Sequence, residues 1–374
     1  MGNKLKHLTF TGVSALAVLA VSPALAQPAD LEEIIVIGSR FEPRIVTQSP
    51  TPIDSISADE LTRGGAPDLQ SMLKVAVPSF STPRPAAAGS LDFLTPPTMR
   101  GLSTGQLLVL INGKRRHTAP DLNGSSQIGR GDVAYDFNSI PAAAISRVEV
   151  LRDGAAAQYG SDAIAGVLNV QLARGTDGFA SARFGLTEKG DGEHTEIAVA
   201  KGIELGDDGF LRLTVQYQDH NASDRAAPDT RQQYFGRNAA GALVMPSGNY
   251  GSGTGLTPSS GTLDPREATV DRDIWKFGDP KYENLSLFLN AEKPLTDGIT
   301  AYAFGGYSRL KGNSFNFFRR AGQDETVRAI YPDGFLPLQE IEITNGSGAF
   351  GLKGDDLAGF GWDLSSAYGG MSAS

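Results

Sequence analysis

Phe210-Leu211-Arg212-Leu213-Thr214-Val215-Gln216-Tyr217-Gln218 decides the fold. Read with a period of two, Leu211, Leu213, Val215 and Tyr217 fall on one side of an extended segment. Arg212, Thr214, Gln216 and Gln218 fall on the other. An aliphatic and aromatic face opposite a charged, amide-rich one suits a strand standing between lipid and a wet lumen. Segments of similar pattern recur at 180–187, 195–203, 285–291, 299–307, 350–352 with its flanks, and 360–368.

The connections carry an independent argument. Residues 206–208, 294–298 and 355–358 read as tight turns, whereas 221–281 and 313–345 are long, polar and rich in Gly, Pro and Asp. Short turns alternating with long loops are the pattern of an outer-membrane β-barrel, with the long loops outside. A soluble sandwich also alternates along its strands, but it rarely places such loops at every second connection. About seven strands can be counted, while the smallest closed barrels have about 8 and a lumen that houses a folded domain needs about 22. An open sheet edge in lipid leaves backbone groups unpaired, so the expectation is that these residues are the N-terminal part of a longer polypeptide.

Composition agrees. The 374 residues include 45 Gly, 18 Phe and 10 Tyr, and roughly 12% glycine against a usual 7% or so favours a β-rich architecture. With 33 Lys+Arg against 42 Asp+Glu the formal charge is -9, which argues against nucleic acid as a partner. Zero cysteines exclude a disulfide framework, thiolate nucleophiles and Cys-based metal centres.

Lys4 and Lys6 precede an uncharged, mostly apolar run from Leu8 to Val21, and Ala24-Leu25-Ala26 supplies a small-x-small cleavage site. Residues 1–26 therefore read as a signal peptide, too short to span a membrane as a helix. Residues 27–52 are an extended linker containing Glu33-Ile34-Ile35-Val36-Ile37. Residues 53–174 read as a compact α+β domain: Ser57 and Glu60 are spaced as a capping box, and Leu107-Leu108-Val109-Leu110-Ile111 runs into Asn112-Gly113, a type I′ hairpin signal. Residues 175–374 hold the antiparallel barrel strands.

Several stretches of this α+β domain and its leader resemble the TonB-dependent outer-membrane receptors, whose plug domain sits inside a large barrel. Glu33-Ile34-Ile35-Val36-Ile37-Gly38-Ser39-Arg40 looks like the TonB box. Thr98-Met99-Arg100-Gly101, followed by Leu107 to Gly113, is similar to the plug's Arg-Gly strand and hairpin. The most specific run is Ile145-Ser146-Arg147-Val148-Glu149-Val150-Leu151-Arg152-Asp153-Gly154, then Gln158-Tyr159-Gly160-Ser161-Asp162-Ala163-Ile164-Ala165-Gly166-Val167-Leu168-Asn169-Val170. It departs from the commonest family wording at Asp153-Gly154, where Gly-Pro is usual, and at Ala165-Gly166, where two glycines are usual.

The resemblance implies a plug followed by the first part of a 22-strand barrel, an outer-membrane location in a Gram-negative bacterium, and TonB as energy-transducing partner. It implies that Glu33, Ile34, Ile35, Val36 and Ile37 bind TonB by strand addition, and that Arg100 and Arg152 pair with barrel carboxylates and lock the plug. Plug apex loops at 81–97 and 117–135 are the expected floor of a ligand site, which nominates Arg84, Phe93, Arg116, His117, Arg130 and Tyr135. Phe317, Phe318 and Arg319 are nominated from the barrel side, where aromatics and cations suit an anionic or aromatic ligand. No cofactor and no protein-built metal site is expected, since His194 has no histidine partner at i+4 and His220 stands alone in the sequence.

Enzyme readings are weaker. Gly101-Leu102-Ser103-Thr104-Gly105 matches the nucleophile-elbow pattern in letters, but a β-prone hairpin follows it where the elbow needs a helix. The expected function is energised uptake of a scarce solute, a small chelate or oligosaccharide, with ferric siderophore as the default. The alternatives are a non-functional truncated fragment bearing the plug and, remotely, a periplasmic serine hydrolase.

Overall fold

In the computed structural model, residues 34–35, 44–45, 53–82, 89–120, 122, 129–152, 158–246, 261–323 and 326–374 are described. The expected signal peptide at 1–26, Glu33, Val36, Ile37 and Arg84 lie outside them. In chain order, two short strands, β1 (Ile34–Ile35) and β2 (Arg44–Ile45), pair antiparallel. The plug follows, with β3 (Ile53–Ser57), α1 (Ala58–Arg63), α2 (Leu69–Ala76), β4 (Phe80–Ser81), β5 (Thr98–Met99), β6 (Leu107–Ile111), β7 (Lys114–Arg115), β8 (Ile145–Leu151) and β9 (Gly166–Leu172).

Local chemistry sets these boundaries. Ser57 ends β3 and caps α1 reciprocally: Glu60 N donates to Ser57 Oγ at 3.3 Å, and Ser57 N donates to Glu60 Oε2 at 2.9 Å. Helix α2 escaped the sequence reading although its signals are present. Asp68 accepts from Ser71 N at 2.8 Å as N-cap, and Leu69, Met72 and Leu73 share a buried face. Asn112 and Gly113 take φ of 46° and 77°, the left-handed pair of a type I′ turn joining β6 to β7.

The plug sheet runs β3-β8-β9-β6-β7, with β6 and β9 parallel and its other pairs antiparallel. Strand β6 is buried along its whole length, which accounts for an unbroken Leu-Leu-Val-Leu-Ile run in a central position. Around that sheet a continuous core joins plug side chains such as Met72, Leu73, Val109, Phe137 and Leu168 to Phe288, Tyr302, Phe304 and Ala349 of the second sheet.

The second sheet is an antiparallel meander, the barrel wall. Its strands are β10 (Gly178–Gly185), β11 (His194–Glu204), β12 (Phe210–His220), then, beyond a small sheet of β13 (Gly236–Asn238), β14 (Leu243–Val244) and β15 (Gly261–Thr262), β16 (Lys281–Thr296), β17 (Ile299–Phe315), β18 (Leu338–Leu357) and β19 (Phe360–Ala373). The alternation expected of residues 210–218 is present. Arg212, Thr214, Gln216 and Gln218 are buried toward the plug, while Leu213 and Tyr217 are exposed on the outer face. Ile197, Val199, Leu285, Leu287, Phe350, Leu352 and Leu364 are exposed as well, and the strand registers place them on that same face. No described helix is long and apolar enough to cross a membrane; apolar strands facing lipid are the alternative route.

Two turns are tighter than the sequence suggested. Strand β16 continues through Pro294 by shifting register before Thr296, and β18 reaches Leu357 before Ala358 and Gly359 turn the chain with φ of 58° and 85°. The second long loop is correspondingly shorter, because β17 extends to Phe315 and β18 begins at Leu338.

Candidate functional site

The hairpin at Asn112-Gly113 delivers four basic residues, Lys114 to His117, to the seam between plug and wall. Lys114 Nζ pairs with Asp363 of β19 at 2.9 Å and lies 5.5 Å from the centroid of the Tyr302 ring, whose hydroxyl donates to the same carboxylate at 2.7 Å. Arg115 stays within the plug, on Asp162 at 2.7 Å and the Tyr159 carbonyl at 2.6 Å. Arg116 is 7% exposed and reaches the wall: its Nη2 donates to Asn345 Oδ1 and to Ser139 Oγ, both at 2.8 Å, and its Nη1 donates to Ser347 Oγ. Asn345 Nδ2 in turn donates to Asp136 Oδ2 at 2.9 Å, and Asp136 is 5% exposed. Burial lowers the Arg116 pKa to about 10 and raises that of Asp136, while each charge draws the other back toward ionisation.

Two aromatic side chains of the plug seat in glycine gaps of the wall. A Cβ on Gly312 would run into the Phe93 ring, and one on Gly369 would run into the His117 imidazole. Desolvation, followed by the neighbouring Arg116 charge, brings the His117 pKa down to about 4. Further seam bonds run from Ser314 Oγ to Asp92 at 2.5 Å, from Asn284 Nδ2 to the Asn138 carbonyl at 2.8 Å, and from Gln218 Nε2 to the Pro67 carbonyl at 2.8 Å.

These contacts correct several expectations. Arg100 Nη1 donates to the Arg152 carbonyl at 2.7 Å, and Arg152 pairs with Asp54 of β3, bonds that lie within the plug. Arg116, expected instead to meet ligand, is directed to the wall, as is Arg174, whose Nη1 donates to Glu292 of β16 at 2.7 Å. Phe93, Tyr135 and Phe318, also expected at a ligand surface, are buried. Phe93 is held against the wall, and Tyr135 packs edge-on to Phe137 at 6.5 Å in the plug core. Arg130 is exposed, Phe317 and Arg319 are half-buried, and Ile34 and Ile35 lie in register with Ile45 and Arg44.

The outer ends of the wall carry the long loops, and these interlock. Tyr234 OH donates to Asp333 at 2.9 Å, Arg266 stacks over the Tyr234 ring at 4.0 Å, and Arg320 Nη1 donates to the Gln232 carbonyl at 2.8 Å. Burial and the bond to Asp333 push the Tyr234 phenol up to about 12. A cavity of about 400 Å³ opens among Arg225, Pro228, Asp229, Arg231, Trp275 and Phe277. Arg231 lies over Trp275 at 5.3 Å, and Trp275 meets Phe317 at 5.6 Å, which joins Phe317 to an aromatic cluster that sequence reading did not assemble.

Ser103 has a structural role. It caps a short 3-10 turn with Gln106 and donates to Asp132, in the connection that leads into β6. His194 and His220, distant in sequence, are register partners with ring centroids 5.7 Å apart, and His220 stacks on Tyr282 at 5.1 Å. Among the described residues no group of three or more His, Cys, Asp or Glu is placed to hold a metal.

The sequence model of the TonB-dependent Receptor Plug Domain family matches residues 46–167. The chain is 28% identical over 191 residues to the vitamin B12 transporter BtuB of Vibrio cholerae serotype O1, across 51% of this chain and 28% of that protein. It is 31% identical over 207 residues to BtuB of Photobacterium profundum, across 49% and 31%. The matched stretches thus span under a third of these relatives. Among solved structures it resembles a ferric enterobactin receptor, PfeA, with TM-score 0.58 at 17% identity over 86% of this chain and 41% of that one. It also resembles the siderophore receptor PirA from Acinetobacter baumannii, with TM-score 0.54 at 17% identity over 85% and 40%. A plug domain of the TonB-dependent receptor family, seated against an antiparallel wall with a polar inner and an apolar outer face, gives this chain the architecture of those receptors.

Proposed function

We propose that this chain is the plug and first barrel portion of an outer-membrane transporter that takes up a scarce solute with energy delivered through TonB. The observation that carries the reading is the plug itself, a folded domain fastened inside a strand wall by many polar contacts that a force can break one after another. The outer loops and the Trp275 cavity offer the solute its first contact, and Arg130, Phe317 and Arg319 keep surface there or at the plug apex. Residues 33–37 then add as a strand to a TonB sheet edge, and traction on them shifts the plug. The named relatives carry different solutes, vitamin B12 for BtuB and ferric enterobactin for PfeA. Ferric siderophore is the default for this chain, because aromatic rings alternating with arginines suit an anionic aromatic chelate.

The test is uptake of radiolabelled ferric catecholate and of labelled cobalamin by cells carrying the receptor gene, in tonB-positive and tonB-deficient backgrounds. Accumulation that requires both genes is expected for one of the two. Equal accumulation with and without TonB would refute the energised reading.

A further inference from the structure

Asn345 stands between two opposite charges. Its amide oxygen accepts from Arg116 at 2.8 Å and its amide nitrogen donates to Asp136 at 2.9 Å, so a neutral wall side chain is inserted into what would otherwise be an arginine–aspartate pair. Both charges belong to the plug. The wall supplies only the Asn345 amide and the Ser347 hydroxyl.

We propose that Arg116, Asp136 and Asn345 form a separable clasp, in which the plug leaves the wall by exchanging its two bonds to Asn345 for a direct Arg116–Asp136 pair. The argument is electrostatic. A lock made from an ion pair across the seam strands a desolvated charge on each side when it opens, and that is strongly unfavourable. At this contact both charges are on the moving part, so opening it strands none and leaves the wall only neutral groups that water satisfies; the Lys114–Asp363 pair of the same hairpin is more exposed and parts into water. Ser139 ties the Arg116 guanidinium to the main chain of Asp136 while the wall recedes: its hydroxyl accepts from Arg116 Nη2 at 2.8 Å and donates to the Asp136 backbone carbonyl at 2.6 Å. Backbone anchoring agrees, since Arg116 N donates to the Val109 carbonyl of β6 at 3.0 Å, which ties the guanidinium to the plug sheet. Arg116 and Asp136 are thus positioning residues that make plug seating firm and reversible at once.

The experiment needs no ligand. Receptor purified from outer membranes is placed in planar bilayers, and the urea concentration at which ion conductance appears reports plug departure; heat-dependent gel migration checks that each variant retains its barrel. Asn345→Leu removes both bonds and should open at urea lower by about 1 M. The double variant Asp136→Asn with Asn345→Asp restores the hydrogen-bonding pattern but moves the negative charge to the wall, and it should open at urea higher by about 1 M. If both variants open with the wild type, the clasp does not hold the plug. If the double variant opens with the wild type while Asn345→Leu opens early, the contact is an ordinary hydrogen bond and the separable clasp is overturned.

Discussion

Glu149 is the most consequential charge of the plug interior. Fully buried in strand β8, its Oε1 accepts from Arg147 Nε at 3.0 Å and Nη2 at 2.9 Å, and its Oε2 accepts from Asn169 Nδ2 at 2.9 Å. Asn169 is equally buried and its Oδ1 accepts from Gly113 N at 3.0 Å, so the network reaches the hairpin turn that delivers Lys114 to His117. Glu149→Gln preserves shape but leaves one oxygen: if Arg147 takes it, two donors, Gln Nε2 and Asn169 Nδ2, face each other. One buried, misdirected amide costs about 1–3 kcal/mol. Glu149→Leu removes every acceptor and leaves Asn169 Nδ2 unpaired. Breaking a buried pair from one side costs about 3–5 kcal/mol, and the partial exposure of Arg147 puts this case at the lower end, about 3 kcal/mol. Because these 374 residues have no cysteine, a single Lys74→Cys on the exposed side of α2 places one fluorophore on the plug to report its unfolding, with any cysteine elsewhere in the receptor replaced by Ser. With a urea slope of about 1.5–2 kcal/mol per M, the midpoint should fall by about 1 M for Glu149→Gln and about 2 M for Glu149→Leu. A Leu variant within about 0.3 M of the wild type would refute the assignment of a stabilising role to this network.

Acid should loosen the seat of His117. Its folded pKa of about 4 lies below the ordinary 6.5, so its contribution is complete above pH 6.5 and is lost as pH falls toward 4; conductance opening should need less urea at pH 5 than at pH 7, and His117→Gln should flatten that dependence. Gly312→Leu should displace Phe93 from its gap, and Phe93→Ala should empty it at a cost of about 3 kcal/mol; each is read as faster protease cleavage of residues 89–97 in the folded receptor. Ile35→Pro should abolish TonB-dependent uptake while heat-dependent barrel migration stays normal, because proline cannot donate to an added strand. Trp275→Ala should weaken binding of a ferric catecholate about tenfold, measured by equilibrium dialysis, and leave urea opening unchanged.

What sequence could reveal follows the range of the interactions. The alternation from Phe210 to Gln218, the Ser57–Glu60 box and the Asn112-Gly113 turn are local patterns, and each is realised where the residues predict it. Helix α2 was readable from Asp68 and the Leu69-Met72-Leu73 face but was overshadowed by the more conspicuous Ser57 start. The clasp was not legible, because 229 positions separate Arg116 from Asn345 and a buried arginine after a hairpin looks the same in sequence as an exposed one. The Trp275–Phe317 contact joins two loops, and the strands within the first of them, β13 to β15, are two or three residues long and carry no periodic signal.

The core that runs from Met72 and Leu168 of the plug to Phe288, Tyr302, Phe304 and Ala349 of the wall bears on assembly. An apolar surface shared in this way is closed only when both partners are present, so the plug synthesised first has a face that water must cover until β16 to β18 exist. Those strands begin more than a hundred residues after the plug sheet is complete. The last tightening of the plug is therefore an event of barrel construction rather than of its own folding.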